Sequence, residues 1–321
     1  MKKIFFLLAI VSMIGCKQKT EKKEAKKPIK IEINTLKDVN LASGSIERIE
    51  NFPTENITSR PVDVWLPDGY SKDKEYSVLY MHDGQMLFDA ATTWNKQEWK
   101  VDEIAGQLQS EGKTKDFIVV AVHNISEIRW NDYFPAKAMD YVSEADMKKI
   151  TALANRNMAN MDLYADKYLK FLTSELKPFI DRVYSVKTDK ENTVIAGSSM
   201  GGLISMYAIS EYPEVFGAAA CISTHWPGAG VSEDNPLPAA IFAYMDKNLP
   251  MAGSHRIYFD YGDKTLDQFY PQYAPKVDEI LAKKGYDSSN SANRFFKGAD
   301  HSENSWNQRL DIPFTFLLAK N

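Results

Sequence analysis

The chain has 321 residues, with 39 basic and 43 acidic side chains, so its net charge of −4 leaves no cationic surplus for holding nucleic acid. Two cysteines exclude a disulfide framework. A length of 321 residues suffices for one large domain built on a single core.

The first thirty residues do not read as part of a fold. Met1-Lys2-Lys3 is a basic start, and Ile4 to Ile14 is an apolar run of signal-peptide length, too short to cross a bilayer as a helix. Met13-Ile14-Gly15-Cys16 follows and resembles a bacterial lipobox, with Met13 where Leu is more usual. In that reading residues 1–16 are a lipoprotein signal peptide and Cys16 is the lipidated first residue of the mature chain. The alternative is an ordinary cleaved secretory signal in which Cys16 is incidental. Residues 17–30, rich in Lys and Glu, cannot bury enough apolar surface to offset ordering entropy and are expected to be a disordered tether. The expectation is an exported protein, lipid-anchored to a membrane on its periplasmic or outer face, with residues 31–321 as its folded domain.

From Ile31 to Leu66 short alternating stretches predict antiparallel strands at a sheet edge. Beyond Pro67-Asp68-Gly69 the pattern changes to compact apolar runs at Tyr76–Met81, Phe117–Val122, Thr193–Ala196, Phe216–Ile222 and Arg256–Tyr261, with a weaker one at Asn293–Phe296. Continuous apolar runs suit strands covered on both faces, as in a parallel sheet. Helical spacing is found at Trp99–Gln109, Leu163–Arg182, Gly202–Glu211, Pro275–Lys284 and Trp306–Ala319. This alternation predicts an α/β fold of the hydrolase type, with a mostly parallel sheet and helices on both faces. Cys221, inside an apolar run, is expected to be a buried hydrophobe. Two long connections, His123–Asp162 and Thr224–Ser254, are expected to wall a substrate pocket.

Gly197-Ser198-Ser199-Met200-Gly201-Gly202 lies between a predicted strand and a predicted helix, the setting of a nucleophile elbow with Ser199 at its tip. Crowding at the turn requires small residues two positions either side. Of five histidines, His82 and His123 precede the serine, and His225 and His255 precede any plausible acid. The order Ser–acid–His therefore selects His301, in the loop before the last helix. Asp260, Asp263 and Asp267 all lie near the end of the Arg256–Tyr261 strand; Asp267 is preferred as the acid, with Asp263 the alternative. The backbone amides of Met200 and Gln85 are the candidate oxyanion hole.

With Tyr80-Met-His-Asp-Gly-Gln-Met-Leu-Phe-Asp, the elbow and Gly298-Ala-Asp-His-Ser-Glu-Asn-Ser-Trp in view, the chain from about Ser45 to Leu318 resembles an esterase family. That family is related to the feruloyl and acetyl esterases of carbohydrate esterase family 1, to siderophore esterases and to mycolyltransferases. The resemblance implies a Ser199–His301 pair and an acid after the next-to-last strand. The gap from Gly262 to Asp267 is longer than the feruloyl-esterase spacing. The expected activity is serine ester hydrolysis, on acetyl or feruloyl esters of carbohydrates. A siderophore-type esterase, an acyltransferase and a non-catalytic protein on the same scaffold are the rivals. Trp94, Arg129, Trp130, Tyr133 and Trp226 are candidate substrate contacts, Arg129 for a carboxylate. No cofactor, no metal and no nucleic-acid partner are expected.

Overall fold

The computed structural model describes residues 31–153 and 162–320. The expected signal peptide, Cys16 and the expected tether lie outside the described residues. Strands β1 (Asn34–Thr35), β2 (Ser45–Ile49), β3 (Val62–Leu66), β4 (Ser77–His82), β5 (Phe117–Val122), β6 (Thr193–Ser198), β7 (Ala218–Ile222), β8 (Arg256–Tyr261) and β9 (Ser291–Phe295) form one sheet. Their order is β1-β2-β3-β5-β4-β6-β7-β8-β9. The first three strands pair antiparallel and β3 meets β5 antiparallel; every pairing from β5 through β9 is parallel.

Each parallel pair needs a crossover, which the chain supplies with helices. These are α1 (Val101–Ser110), α2 (Arg129–Tyr133), α3 (Glu144–Leu153), α4 (Ala165–Phe171), α5 (Lys177–Val183), α6 (Met200–Glu211), α7 (Leu237–Asn248), α8 (Ala274–Lys283), α9 (Glu303–Asn307) and α10 (Asp311–Leu318). Strands β4 to β7 are buried at every residue, because their side chains alternate between two cores. Val78 and Tyr80 face one core with α4 to α8; Leu79 and Met81 face the other with α1 and α10.

Three elements depart from the sequence expectation. The predicted helix Leu163–Arg182 contains a π-helical turn, Leu172–Leu176. Pro178, two residues beyond its end, has no amide hydrogen to bond back up the helix, so the widened turn absorbs the defect. The predicted helix Trp306–Ala319 is split into α9 and α10, with Pro313 in the first turn of the second piece. The connection Thr224–Ser254 is not a loop throughout. It contains α7, whose Pro238 occupies the first turn, where proline is favoured.

Candidate active site

Ser199 joins the end of β6 to the start of α6 with φ 58° and ψ −121°, a region that costs a non-glycine residue conformational energy. The strain is held by four backbone bonds. Ser199 N–H donates to Ile222 O at 2.9 Å, and its carbonyl accepts from Gly202 (3.0 Å), Leu203 (3.2 Å) and His225 (3.1 Å). A Cβ at Gly197 would stand 2.8 Å from the Gly201 backbone, and one at Gly202 2.9 Å from Thr224 Oγ1. At Gly197 the turn brings backbone against backbone, whereas a Cβ at Gly201 would meet nothing nearer than 3.4 Å.

Across the ends of the parallel strands, His301 Nδ1 lies 2.6 Å from Asp267 Oδ1. Asp267 is fully buried, and its Oδ2 accepts from Ser223 Oγ (2.6 Å) and Gly262 N–H (2.7 Å). Ringed by donors, this carboxylate leaves Nδ1 to donate as well, so the neutral imidazole carries its lone pair on Nε2. Thr265 Oγ1 accepts from His301 N–H at 2.8 Å. Trp306 and Tyr270 pack edge-on against the ring, with centroids at 5.0 and 5.9 Å. Asp263 instead accepts from Gly298 N–H (2.8 Å), and Asp260 pairs with Arg309 through two nitrogens (3.0 and 3.1 Å). Of the three aspartates, Asp267 is the one brought to the histidine.

The remaining histidines have other partners. His225 bridges Tyr270 OH and Ala229 O, each at 2.8 Å, and burial pushes its pKa down to about 4. His82 bonds Tyr168 OH at 2.8 Å; burial lowers it to about 3, with Asp83 opposing and Arg129 adding to the shift. His123 contacts Asp63 (2.8 Å) and His255 the carbonyl of Pro213 (2.8 Å).

Asp83 follows β4 in the left-handed region, φ 60° and ψ 42°, and opens the short 3-10 turn Gly84–Met86. Arg129 grips its carboxylate through Nε (2.8 Å) and Nη2 (2.7 Å), and Asn124 Nδ2 adds a bond at 2.7 Å. Burial works to raise the Asp83 pKa, but the Arg129 guanidinium outweighs it and leaves the group below the usual carboxylate range. The loop carrying Gln85 is thereby fixed. Met200 is the first residue of α6, so its N–H has no carbonyl partner within the helix.

Ser199, His301, Gln85, Arg129 and Trp94 open together onto a cleft of about 350 Å³, walled also by Trp99, Asn124, Glu303 and Trp306. Trp94 is 84% exposed at its mouth. Three candidate contacts belong elsewhere. Trp130 donates its indole N–H to Gly228 O (2.7 Å) and stacks on Phe134; Trp226 stacks on Phe242; Tyr133 is buried among His82 and Tyr168. These large rings stabilise more by filling the core than by facing water. The connection Thr224–Ser254 likewise packs on the core through α7 and supplies no wall of the cleft, whereas His123–Asp162 contributes Asn124, Ser126 and Arg129. Arg129 borders the cleft, but its guanidinium is committed to Asp83, so its charge is already balanced.

Ser223 and Arg309 escaped the sequence reading. Arg309 Nη2 and Trp306 Nε1 both donate to Ser223 Oγ at 3.0 Å, tying the last helices to the Asp267 carboxylate. No sequence signal marked them, since Arg309 stands among the polar residues Asn307, Gln308 and Asp311, in the turn between α9 and α10. No group of three or more potential metal ligands occurs among the described residues.

Residues 57–317 match the family described as "Putative esterase". A 186-residue stretch, 56% of this chain, is 30% identical to the endo-1,4-beta-xylanase/feruloyl esterase of Xylanibacter ruminicola, and spans only 21% of that protein's length. A solved ferulic acid esterase is similar at TM-score 0.61 and 19% identity, over 86% of this chain and 98% of its own. An IroE-like serine hydrolase from Shewanella oneidensis is similar at TM-score 0.59 and 17% identity, over 85% and 80% of the two chains. The chain belongs to the "Putative esterase" family, carboxylic-ester hydrolases on the α/β-hydrolase fold.

Proposed function

We propose that this protein hydrolyses acyl esters of carbohydrates, of acetyl or feruloyl type, through an acyl-enzyme on Ser199. The observation that carries the reading is the His301–Asp267 bond of 2.6 Å at a cleft shared with the strained Ser199. Ser199 Oγ attacks the ester carbonyl while His301 Nε2 takes its proton. The developing oxyanion is met by the amides of Met200 and Gln85. Collapse expels the alcohol, which leaves with the proton from His301. Water then attacks the acyl-enzyme, giving its proton to His301; the carboxylic acid departs and Ser199 Oγ recovers the proton. Asp267 holds the tautomer this cycle needs and stabilises the imidazolium.

An aromatic acyl group is favoured by Trp94, Trp99 and Trp306 around the cleft, and by the names of the relatives above. The first test is hydrolysis of p-nitrophenyl acetate and methyl ferulate by residues 30–321 beside its Ser199→Ala variant. Activity lost in the variant supports the acyl-enzyme; equal activity in both overturns it. The Met13–Cys16 motif supports a further proposal, export and lipid anchoring through Cys16. A Cys16→Ser protein that still carries acyl label and partitions with membranes sinks it.

A further inference from the structure

A second cavity, of about 530 Å³, borders the catalytic cleft. We propose that it is a saccharide subsite taking the alcohol portion of the ester, a neutral oligosaccharide, while the acyl group lies in the tryptophan-walled cleft. The inference rests on the ester-hydrolase reading above.

Continuity is the first support. Gln85 borders both cavities, and its side-chain oxygen accepts from Asn124 N–H at 3.0 Å, which fixes it as the divide. At a tetrahedral centre held by the Gln85 and Met200 amides, the acyl and alkoxy substituents point apart. With one in the cleft, the other leaves across Gln85. Both cavities also sit at the same edge of the sheet. Gly84 follows the end of β4, His123 follows β5, and Asp63, near the start of antiparallel β3, pairs with Ala121 beside them. That edge, beyond the carboxyl ends of parallel strands, is where α/β sheets bind ligands.

The lining supplies the chemistry. Leu36 and Val39 offer apolar surface, and Thr35 and Thr92 are exposed residues of the lining, the Thr92 hydroxyl donating to Asp89 O at 2.9 Å and keeping its lone pairs to accept. A sugar ring presents this same combination, C–H faces and hydroxyl edges. Charge then narrows the class. Arg48 holds Asp63 through Nε (2.6 Å) and Nη2 (2.8 Å), with His123 Nε2 at 2.8 Å on the same carboxylate. Asp89 is occupied by Asn40 and Ala91 N–H groups. Among the described residues this leaves Lys37, Asp38 and Asp89 without ion-pair partners, so Lys37 and Arg48 stand against three lining carboxylates, Asp38, Asp63 and Asp89. Taken together the lining has no cationic surplus to draw a phosphate, a uronate or a catecholate, and a neutral polyol is the ligand that fits.

The test fills the groove from its rim with Thr35→Trp and Thr92→Trp, both at exposed positions outside the core. Kinetics are compared on methyl ferulate and on a feruloylated xylo-oligosaccharide, which share an acyl group. The unaltered enzyme is expected to prefer the oligosaccharide ester in kcat/KM. Each variant should lose about tenfold or more of that preference through KM, as expected when well-placed subsite contacts are blocked, with methyl ferulate kinetics retained. Equal kcat/KM for the two esters, or a preference that survives both variants, overturns the subsite while Ser199-dependent methyl ferulate hydrolysis still stands. Methyl ferulate hydrolysis that persists in Ser199→Ala, or no hydrolysis of either ester, overturns the underlying reading as well.

Discussion

Replacing Asp267 with asparagine should disable the enzyme without unfolding it, and the hydrogen bonds dictate why. Ser223 Oγ accepts from Trp306 Nε1 and Arg309 Nη2, both at 3.0 Å, so its own hydrogen goes to Asp267 Oδ2. Gly262 N–H donates to the same oxygen at 2.7 Å. An asparagine must therefore put its carbonyl oxygen at the Oδ2 position, which turns its NH2 toward His301. A donor facing Nδ1 forces the proton onto Nε2, the atom that must accept from Ser199. Wrong-tautomer substitutions of this kind lower kcat about 10³–10⁴-fold, equivalent to roughly 4–5 kcal/mol of barrier. KM should change little, because Asp267 is fully buried and does not line the cleft. The assay is steady-state hydrolysis of methyl ferulate, with thermal unfolding as the control for fold. Asp263→Asn is the companion variant and should keep near-normal kcat, since that carboxylate bonds Gly298 N–H rather than the imidazole. A kcat for Asp267→Asn within tenfold of the parent, in a folded protein, would refute the reasoning.

Three further outcomes are expected. Arg309→Met strands the buried Asp260 carboxylate and should cost about 3–5 kcal/mol in urea unfolding, with Asp260→Asn in the same chain recovering part of it; an unchanged midpoint for the single variant contradicts this. His82 and His225, held neutral with pKa values of about 3 and 4 against an ordinary 6.5, should make the fold acid-sensitive. The unfolded chain binds the extra protons, so their stabilisation is complete above pH 6.5 and is lost as pH falls toward 4 and then 3, by about 1.4 kcal/mol per pH unit for each imidazole near pH 5. Asp102, lifted to about 7 chiefly by burial, acts in the opposite sense. The informative comparison is therefore between the parent and a His82→Gln/His225→Gln protein, whose slope should be shallower; parallel slopes count against it. Trp94→Ala should raise KM for methyl ferulate about 2–10-fold, the worth of one aromatic stack, with ethyl acetate hydrolysis unaffected; equal effects on both esters would assign the ring another role.

The sequence by itself determined the sheet strands and singled out Ser199 and His301 as the candidate pair. Apolar runs in β4 to β8 are long enough to declare burial on both faces, and Gly197-x-Ser199-x-Gly201 states a local steric demand of one turn. His301 followed from chain order. The sequence preferred Asp267 over Asp263 on position, but only the tertiary structure shows which aspartate meets His301, because Asp260, Asp263 and Asp267 lie within eight residues and differ in what the fold brings to each. The tertiary structure also decided which aromatics face the cleft: Trp94, Trp130 and Trp226 look alike in sequence, yet one is 84% exposed and two are core. The support of Asp267 by Ser223, Trp306 and Arg309 was illegible for the same reason. Ser223 stands 44 residues from Asp267 and 83 and 86 from Trp306 and Arg309, and a hydrogen bond between such segments exists only once the sheet has set their ends side by side.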